Sequence, residues 1–157
     1  MGEVLSLLDA RRRRAAASVM GQRFVFTNGC FDIIHPGHIE LLKKAKSLGS
    51  FLCVGINSDR SVHALKGPSR PIQSEGARAA VVAALAAVDY VVLFDEDTPL
   101  RLIEELRPDV LVKGGDYRPA DVVGRNVVEG SGGEVHIVPL LPGHSSSQIT
   151  ERIRRAT

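Results

Sequence analysis

The sequence predicts a doubly wound α/β fold, five parallel strands with helices on both faces, and three observations predict it. Five short runs rich in β-branched and aromatic residues are apolar along their whole length. Segments with helical spacing separate them. The 157 residues, 44% hydrophobic and 24% charged, suit an ordinary globular domain with a sizeable core. Strands without polar alternation are covered on both faces, and helical connections between consecutive strands make the sheet parallel.

Residues 1–20 are expected to form a helical extension before a domain at 21–157, because Val4, Leu7 and Leu8 are followed by Arg and Ala residues without strand character. The extension reads as a packing or oligomer element, and a homodimer is expected. Arg11 to Arg14 read as a solvated helix face, since a net charge of +2 is too small to suggest a nucleic-acid partner.

The first strand is Arg23 to Thr27, carrying Phe24, Val25 and Phe26, and the helix after it runs from Gly37 to Leu48 and stops near Gly49. Strands at Phe51–Ile56, Tyr90–Phe94, Val110–Val112 and Val135–Val138 follow. Helices at Ser74–Ala87, Pro99–Leu106 and Ala120–Glu129 lie between them, with another at Ser146–Arg155. Gly130-Ser131-Gly132-Gly133 precedes a strand, so it reads as a tight helix-to-strand turn and not as a dinucleotide fingerprint.

The longest apolar stretches fall well short of the roughly 20 residues a membrane span needs. No membrane partner and no signal peptide are expected. Cys30 and Cys53 lack the spacing of redox or zinc sites and read as reduced core residues of a cytoplasmic protein.

In such a sheet, ligands bind beyond the carboxyl ends of the strands, so the loops there carry the chemistry. After the first strand comes Asn28-Gly29-Cys30-Phe31-Asp32-Ile33-Ile34-His35-Pro36-Gly37-His38, with Pro36 suited to the first turn of a helix. A helix start presents unpaired N–H groups to an anion, and Gly29 and Gly37 let the backbone come close. The i, i+3 spacing of His35 and His38 places both imidazoles on one side of that start, within reach of one phosphate. Half a metal site and two idle loop histidines are the competing readings. The first lacks further ligands, because His63, His136 and His144 are scattered.

The loop Leu65-Lys66-Gly67-Pro68-Ser69-Arg70-Pro71 brings Lys66 and Arg70 toward an anionic substrate, or is simply solvated. Lys113-Gly114-Gly115-Asp116-Tyr117 follows the fourth strand with paired glycines that permit close approach of a ligand. Ser145, Ser146 and Ser147 open the last helix and cap it or bind phosphate oxygens.

The stretch from Thr27 through His35-Pro36-Gly37-His38 resembles the signature of the His-x-Gly-His nucleotidyltransferase superfamily. With Val54 to Asp59, Leu65 to Pro71, Phe94 to Pro99, Arg107 to Tyr117 and Ser145 to Ser147, residues 22–155 resemble the bacterial heptose 1-phosphate adenylyltransferase family. One departure is His144-Ser145-Ser146-Ser147, where the family usually reads Arg-Ser-Thr-Thr.

The resemblance implies a Rossmann-like enzyme that moves AMP from ATP to heptose 1-phosphate, forming ADP-heptose and pyrophosphate for lipopolysaccharide or another surface glycan. His35, His38 and Lys66 would be catalytic. Thr27, Asn28, Gly29, Cys30, Phe31, Gly37, Lys113, Gly114, Asp116, Ser145, Ser146 and Ser147 would surround the nucleotide. Asp32, Arg70, Arg78 and Tyr117 would face the sugar phosphate, with a surface salt bridge the alternative for Arg78, and Asp32 and Asp116 are also placed to orient the metal. Mg²⁺ would arrive with ATP, held through its phosphates, and a separate heptose kinase is implied. Two alternatives stay open: another nucleotidyltransferase, such as a glycerol-3-phosphate cytidylyltransferase, and a non-catalytic nucleotide-binding module. A flavodoxin-like domain fits less well, because its flavin-phosphate loop is rich in Ser and Thr where this one carries histidines.

Overall fold

Six strands pair in one all-parallel sheet in the computed structural model, which describes residues 1–157. They are β1 (Glu3–Leu5), β2 (Phe24–Gly29), β3 (Phe51–Asn57), β4 (Tyr90–Phe94), β5 (Val110–Gly114) and β6 (Glu134–Val138). The helices are α1 (Leu7–Val19), α2 (Pro36–Ser47), α3 (Asp59–Lys66), α4 (Glu75–Ala83), α5 (Leu100–Leu106), α6 (Arg125–Gly130) and α7 (Ser146–Ala156).

The sheet order β1-β4-β3-β2-β5-β6 departs from the expected five strands by one. Glu3 to Leu5 join the edge beside β4, in register with Tyr90 to Val92. Three residues are too few to carry a strand periodicity, and their pairing partner lies far along the chain. Residues 1–20 are therefore no appendage to the sheet: β1 extends it, and Ala10 and Ala17 of α1 are buried on one of its faces.

Alternation along each strand sends side chains into two cores. Val25, Val54, Ile56, Val91 and Val112 meet Leu42 and Ala45 of α2 and Ala79, Val82 and Ala83 around α4. Phe24, Phe26, Cys53, Val92 and Leu111 meet Leu102, Ile103 and Leu106 of α5 and Val128 of α6. The packing across the sheet is tight: a Cβ on Gly55 would lie 2.8 Å from the Phe26 ring.

Three connections differ from expectation. Ser58 accepts a hydrogen bond from the Ser61 N–H and starts α3, a helix too short to show in the sequence pattern. The helix expected to reach Ala87 ends at Ala83. Between β5 and β6, a 3-10 turn at Pro119–Asp121 and a left-handed Gly124 (φ 86°) replace the first half of the expected helix.

The chain leaves β2 toward β3 and β4, then crosses back to lay β5 and β6 on the other side of β2. β2 and β3 pair over six residues, but β2 and β5 only at Val25–Val110 and Phe26–Leu111. Their carboxyl ends therefore diverge, and a crevice opens where the strand order reverses.

Candidate active site

β2 delivers the first loop to that crevice. Thr27 itself stays in the sheet, fully buried, and its Oγ1 donates to the Val112 carbonyl at 2.8 Å across the β2–β5 seam. That geometry corrects its expected place at the nucleotide. Beyond it, Asn28 and Gly29 line the crevice. Phe31 turns the chain with φ 47°, and a Cβ on Gly29 would press on its buried ring at 3.0 Å.

His35 is the N-cap of α2: its Nδ1 accepts the Gly37 N–H at 3.1 Å. An accepting Nδ1 carries no proton, so the neutral ring holds its proton on Nε2. The His35 and His38 rings stack with centroids 3.8 Å apart, and the Phe31 ring lies 5.0 Å from His38. Burial, the charge on His35 and that on Lys66 push His38 down to about 4. Burial, then the charge on His144, lowers His35. Both rings are thus neutral at pH 7. The Nδ1 of His38 is buried without a partner.

Asp32, expected at the sugar or the metal, faces the protein instead. Its carboxylate accepts from Arg70 Nε at 2.6 Å and from the backbone N–H groups of Ile72 and Gln73 at 2.8 and 2.9 Å. Burial pushes this carboxyl up, but the Gln73 and Ile72 N–H groups and Arg70 outweigh it and hold it below the usual range. Arg78 is fully buried and donates to the Gln73 carbonyl, the Cys30 carbonyl and Asp59 Oδ1 at 3.0, 2.7 and 2.9 Å. With its nitrogens engaged by protein, it braces the loops after β2 and β3 and does not reach for phosphate. Arg70 turns its Nε to Asp32, while its Nη2 is buried without a partner. In place of the expected substrate contacts, Asp32 and Arg78 form a framework under the first loop.

The remaining loops close a cavity of about 290 Å³ over the two imidazoles. Lys66 reaches it from the end of α3, and Lys113, Gly114 and Tyr117 from the end of β5. The start of α7 contributes His144, Ser145, Ser146 and Ser147. Ser145 Oγ caps α7 by accepting the Gln148 N–H, and Ser146 Oγ donates to the Ile33 carbonyl, tying α7 to the first loop. Burial lowers Lys113, whose Nζ lies 5.4 Å from the Tyr117 ring centroid. No carboxylate lines this cavity.

The lining also holds apolar residues, Leu41 and Val138 to Leu141, which sequence reasoning missed, as it missed His144. Gly114 makes room for Leu41, since a Cβ there would meet it at 3.0 Å. The signal for Val138 to Leu141 was their place at and beyond the end of the last strand; none marked Leu41. Asp116 is exposed and lines neither this cavity nor its neighbour. Cys30 belongs to the neighbour, a second cavity of about 320 Å³ that shares Asn28, Gly29, Lys113 and Tyr117 with the first. A wider hollow of about 500 Å³ beside Arg11, Arg14 and Arg107 lies at the opposite, amino-terminal end of the strands.

The sheet order and the stacked imidazoles at its switch point define a Rossmann-like nucleotidyltransferase domain. The chain belongs to the cytidylyltransferase-like family, whose model matches residues 26–152. It is 55% identical over 147 residues to the bifunctional protein HldE of Syntrophotalea carbinolica, covering 94% of this chain and 29% of that one. With the HldE of Geobacter metallireducens it shares 56% identity over 141 residues, 90% of this chain and 29% of the relative. The chain thus spans less than a third of the length of these relatives.

Among solved structures, the lipopolysaccharide core biosynthesis protein of Thermoplasma volcanium superposes with a TM-score of 0.63 at 32% identity, over 77% of this chain and 98% of that one. Pantoate–β-alanine ligase of Francisella tularensis, solved with β-γ ATP and β-alanine, superposes with a TM-score of 0.60 over 98% of this chain and 77% of the ligase. At 14% identity it shares the fold alone.

Proposed function

We propose that this chain transfers AMP from ATP to heptose 1-phosphate, releasing pyrophosphate and forming ADP-heptose. The observation that carries the reading is the cavity at the switch point, where two neutral, stacked imidazoles, Lys66, Lys113 and the start of α7 converge without a carboxylate to repel a polyphosphate. The apolar lining of Leu41 and Val138 to Leu141 suits a planar base. The HldE relatives and the lipopolysaccharide core protein support a sugar phosphate as acceptor.

A phosphate monoester has its second pKa near about 6, so the acceptor oxygen is already anionic at neutral pH. It needs no general base. That oxygen attacks the α-phosphorus, the bridging bond to the β-phosphate breaks, and pyrophosphate leaves with the bonding electrons. Negative charge gathers on the α-phosphate and on the leaving group. The Nε2–H of His35, the imidazole of His38 and the ammonium of Lys66 stabilise it in a cavity closed by α7.

Magnesium favours carboxylate oxygens, and the cavity lining offers none, so the residues present do not form a magnesium site of their own. The ion belongs to the substrate, as magnesium ATP. The acceptor arrives phosphorylated, so a sugar kinase activity supplies it.

The test is pyrophosphate release by the purified chain with four nucleoside triphosphates against heptose 1-phosphate and glycerol 3-phosphate. Release with ATP and heptose 1-phosphate is expected. Preference for CTP and glycerol 3-phosphate would make the chain a cytidylyltransferase, and no release with any pair would make it a binding module.

A further inference from the structure

The second cavity has a different chemistry from the first. Its floor is the end of β2 and β3, with Asn28, Cys30 and Asn57, and its rim is the loop after β4, with Asp97 and Thr98, and the 3-10 turn, with Asp121. Lys113 is its only cationic residue, and Lys113 stands on the wall shared with the first cavity. Two carboxylates in so small a space oppose a polyphosphate but offer acceptors to neutral hydroxyl groups. Its apolar parts, Leu65, Pro99, Val122 and Val123, suit the C–H face of a sugar ring.

The carboxylates of the loop after β4 and of the 3-10 turn are not alike, and of them only Asp97 and Asp121 line the cavity. Asp95 is held by Ser58 and Arg60, Glu96 by Arg101, and Asp121 by Arg118 at 2.8 and 3.3 Å. Asp97, exposed on the cavity lining, pairs with no cation and accepts no hydrogen bond from the protein. An acceptor seated here has its phosphate beside Lys113, at the boundary with the first cavity, and its hydroxyls toward Asp97.

We propose that this second cavity is the acceptor subsite, and that the Asp97 carboxylate binds a hydroxyl pair of a polyhydroxylated sugar phosphate. The assignment rests on reading the first cavity as the triphosphate site. Asp97 acts in binding and selection, since it lies across Lys113 and Tyr117 from the imidazoles, and it takes no part in displacing pyrophosphate.

The test is steady-state kinetics of the parent and of Asp97→Asn and Asp97→Ala, with magnesium ATP, heptose 1-phosphate and a set of its monodeoxy analogues. Both variants are expected to raise the acceptor KM at least tenfold while the ATP KM stays within twofold, which also shows that the fold is intact. The parent is expected to discriminate strongly against one or two deoxy analogues, and the variants are expected to lose that discrimination. An unchanged acceptor KM and undiminished discrimination in both variants, with an active parent, would overturn the subsite and leave the transfer reaction standing. A parent that releases no pyrophosphate with any sugar phosphate would overturn the transfer reaction and the subsite together.

Discussion

At the scale of single residues, the histidine pair is held by features that point one ring at the helix and leave the other chemically available. Because His35 Nδ1 caps α2, its proton faces the cavity, and His38 stacks on it with a strongly lowered pKa. His38→Ala is expected to lower kcat by a factor of about 10²–10³ with a smaller change in ATP affinity, measured by initial rates and nucleotide titration. Equal turnover would remove His38 from the reaction. The same ring sets a pH response. The unfolded chain takes up a proton at His38 near the usual value of about 6.5, the folded chain only near 4. Between those values the unfolded state binds more protons, so stability is full above the unfolded value and is lost as pH falls toward 4. The loss is on the order of 1–2 kcal/mol after allowance for the ring's partial exposure. Denaturant titrations at pH 7 and pH 5 check it, and the His38→Gln variant should show a flatter profile. His35 thus caps the helix with one ring nitrogen and turns the other to the cavity.

At the scale of elements, the first loop is positioned by a buried polar framework that the sequence does not advertise. Arg78 joins the carbonyls of Cys30 and Gln73 to Asp59, and Asp32 gathers Arg70 with two backbone N–H groups. Arg78→Ala leaves Asp59 and two carbonyls without their donor and is expected to cost about 3–5 kcal/mol, read from the denaturant midpoint. A midpoint shifted by less than a fifth of that would show the framework to be dispensable. The β2–β3 pair depends on a different close approach. Gly55→Ala would drive a methyl toward the Phe26 ring, and a loss of about 1–3 kcal/mol is expected by the same measurement. The strands β2 to β5 were legible because their central residues are buried on both faces and so apolar, and the edge strand β6 because Val135, Ile137 and Val138 carry strand character. The helix α3 was not, because eight residues capped by Ser58 hold only two buried positions, Ser61 and Val62. β1 escaped because its three residues depend on a partner edge more than eighty positions away.

At the scale of the whole molecule, the site exists only where elements distant in sequence meet: the loop after β2, the end of α3, β5 and the start of α7. A ligand bridging them binds the folded state alone, so magnesium ATP at a hundred times its Kd should add about 2.7 kcal/mol, a rise of several degrees in Tm. The rise is expected to shrink in a His35→Ala variant, and a nucleotide that leaves the parent's Tm unchanged would argue against the cavity as its site. The amino-acid order by itself determined the α/β class, the five strands β2 to β6 and the loop holding His35 and His38, because apolar runs, Pro36 and an i, i+3 spacing are local signals that survive without a partner. Only the tertiary structure decided which charges face the ligand and which face each other. Asp32 and Arg78 read in sequence as substrate contacts, yet their partners stand 38 to 48 positions away for Arg70 and the Cys30 carbonyl, and 19 for Asp59. The direction of a long polar side chain is set by whichever charge the fold brings within hydrogen-bond reach, and that distance is a property of the folded chain.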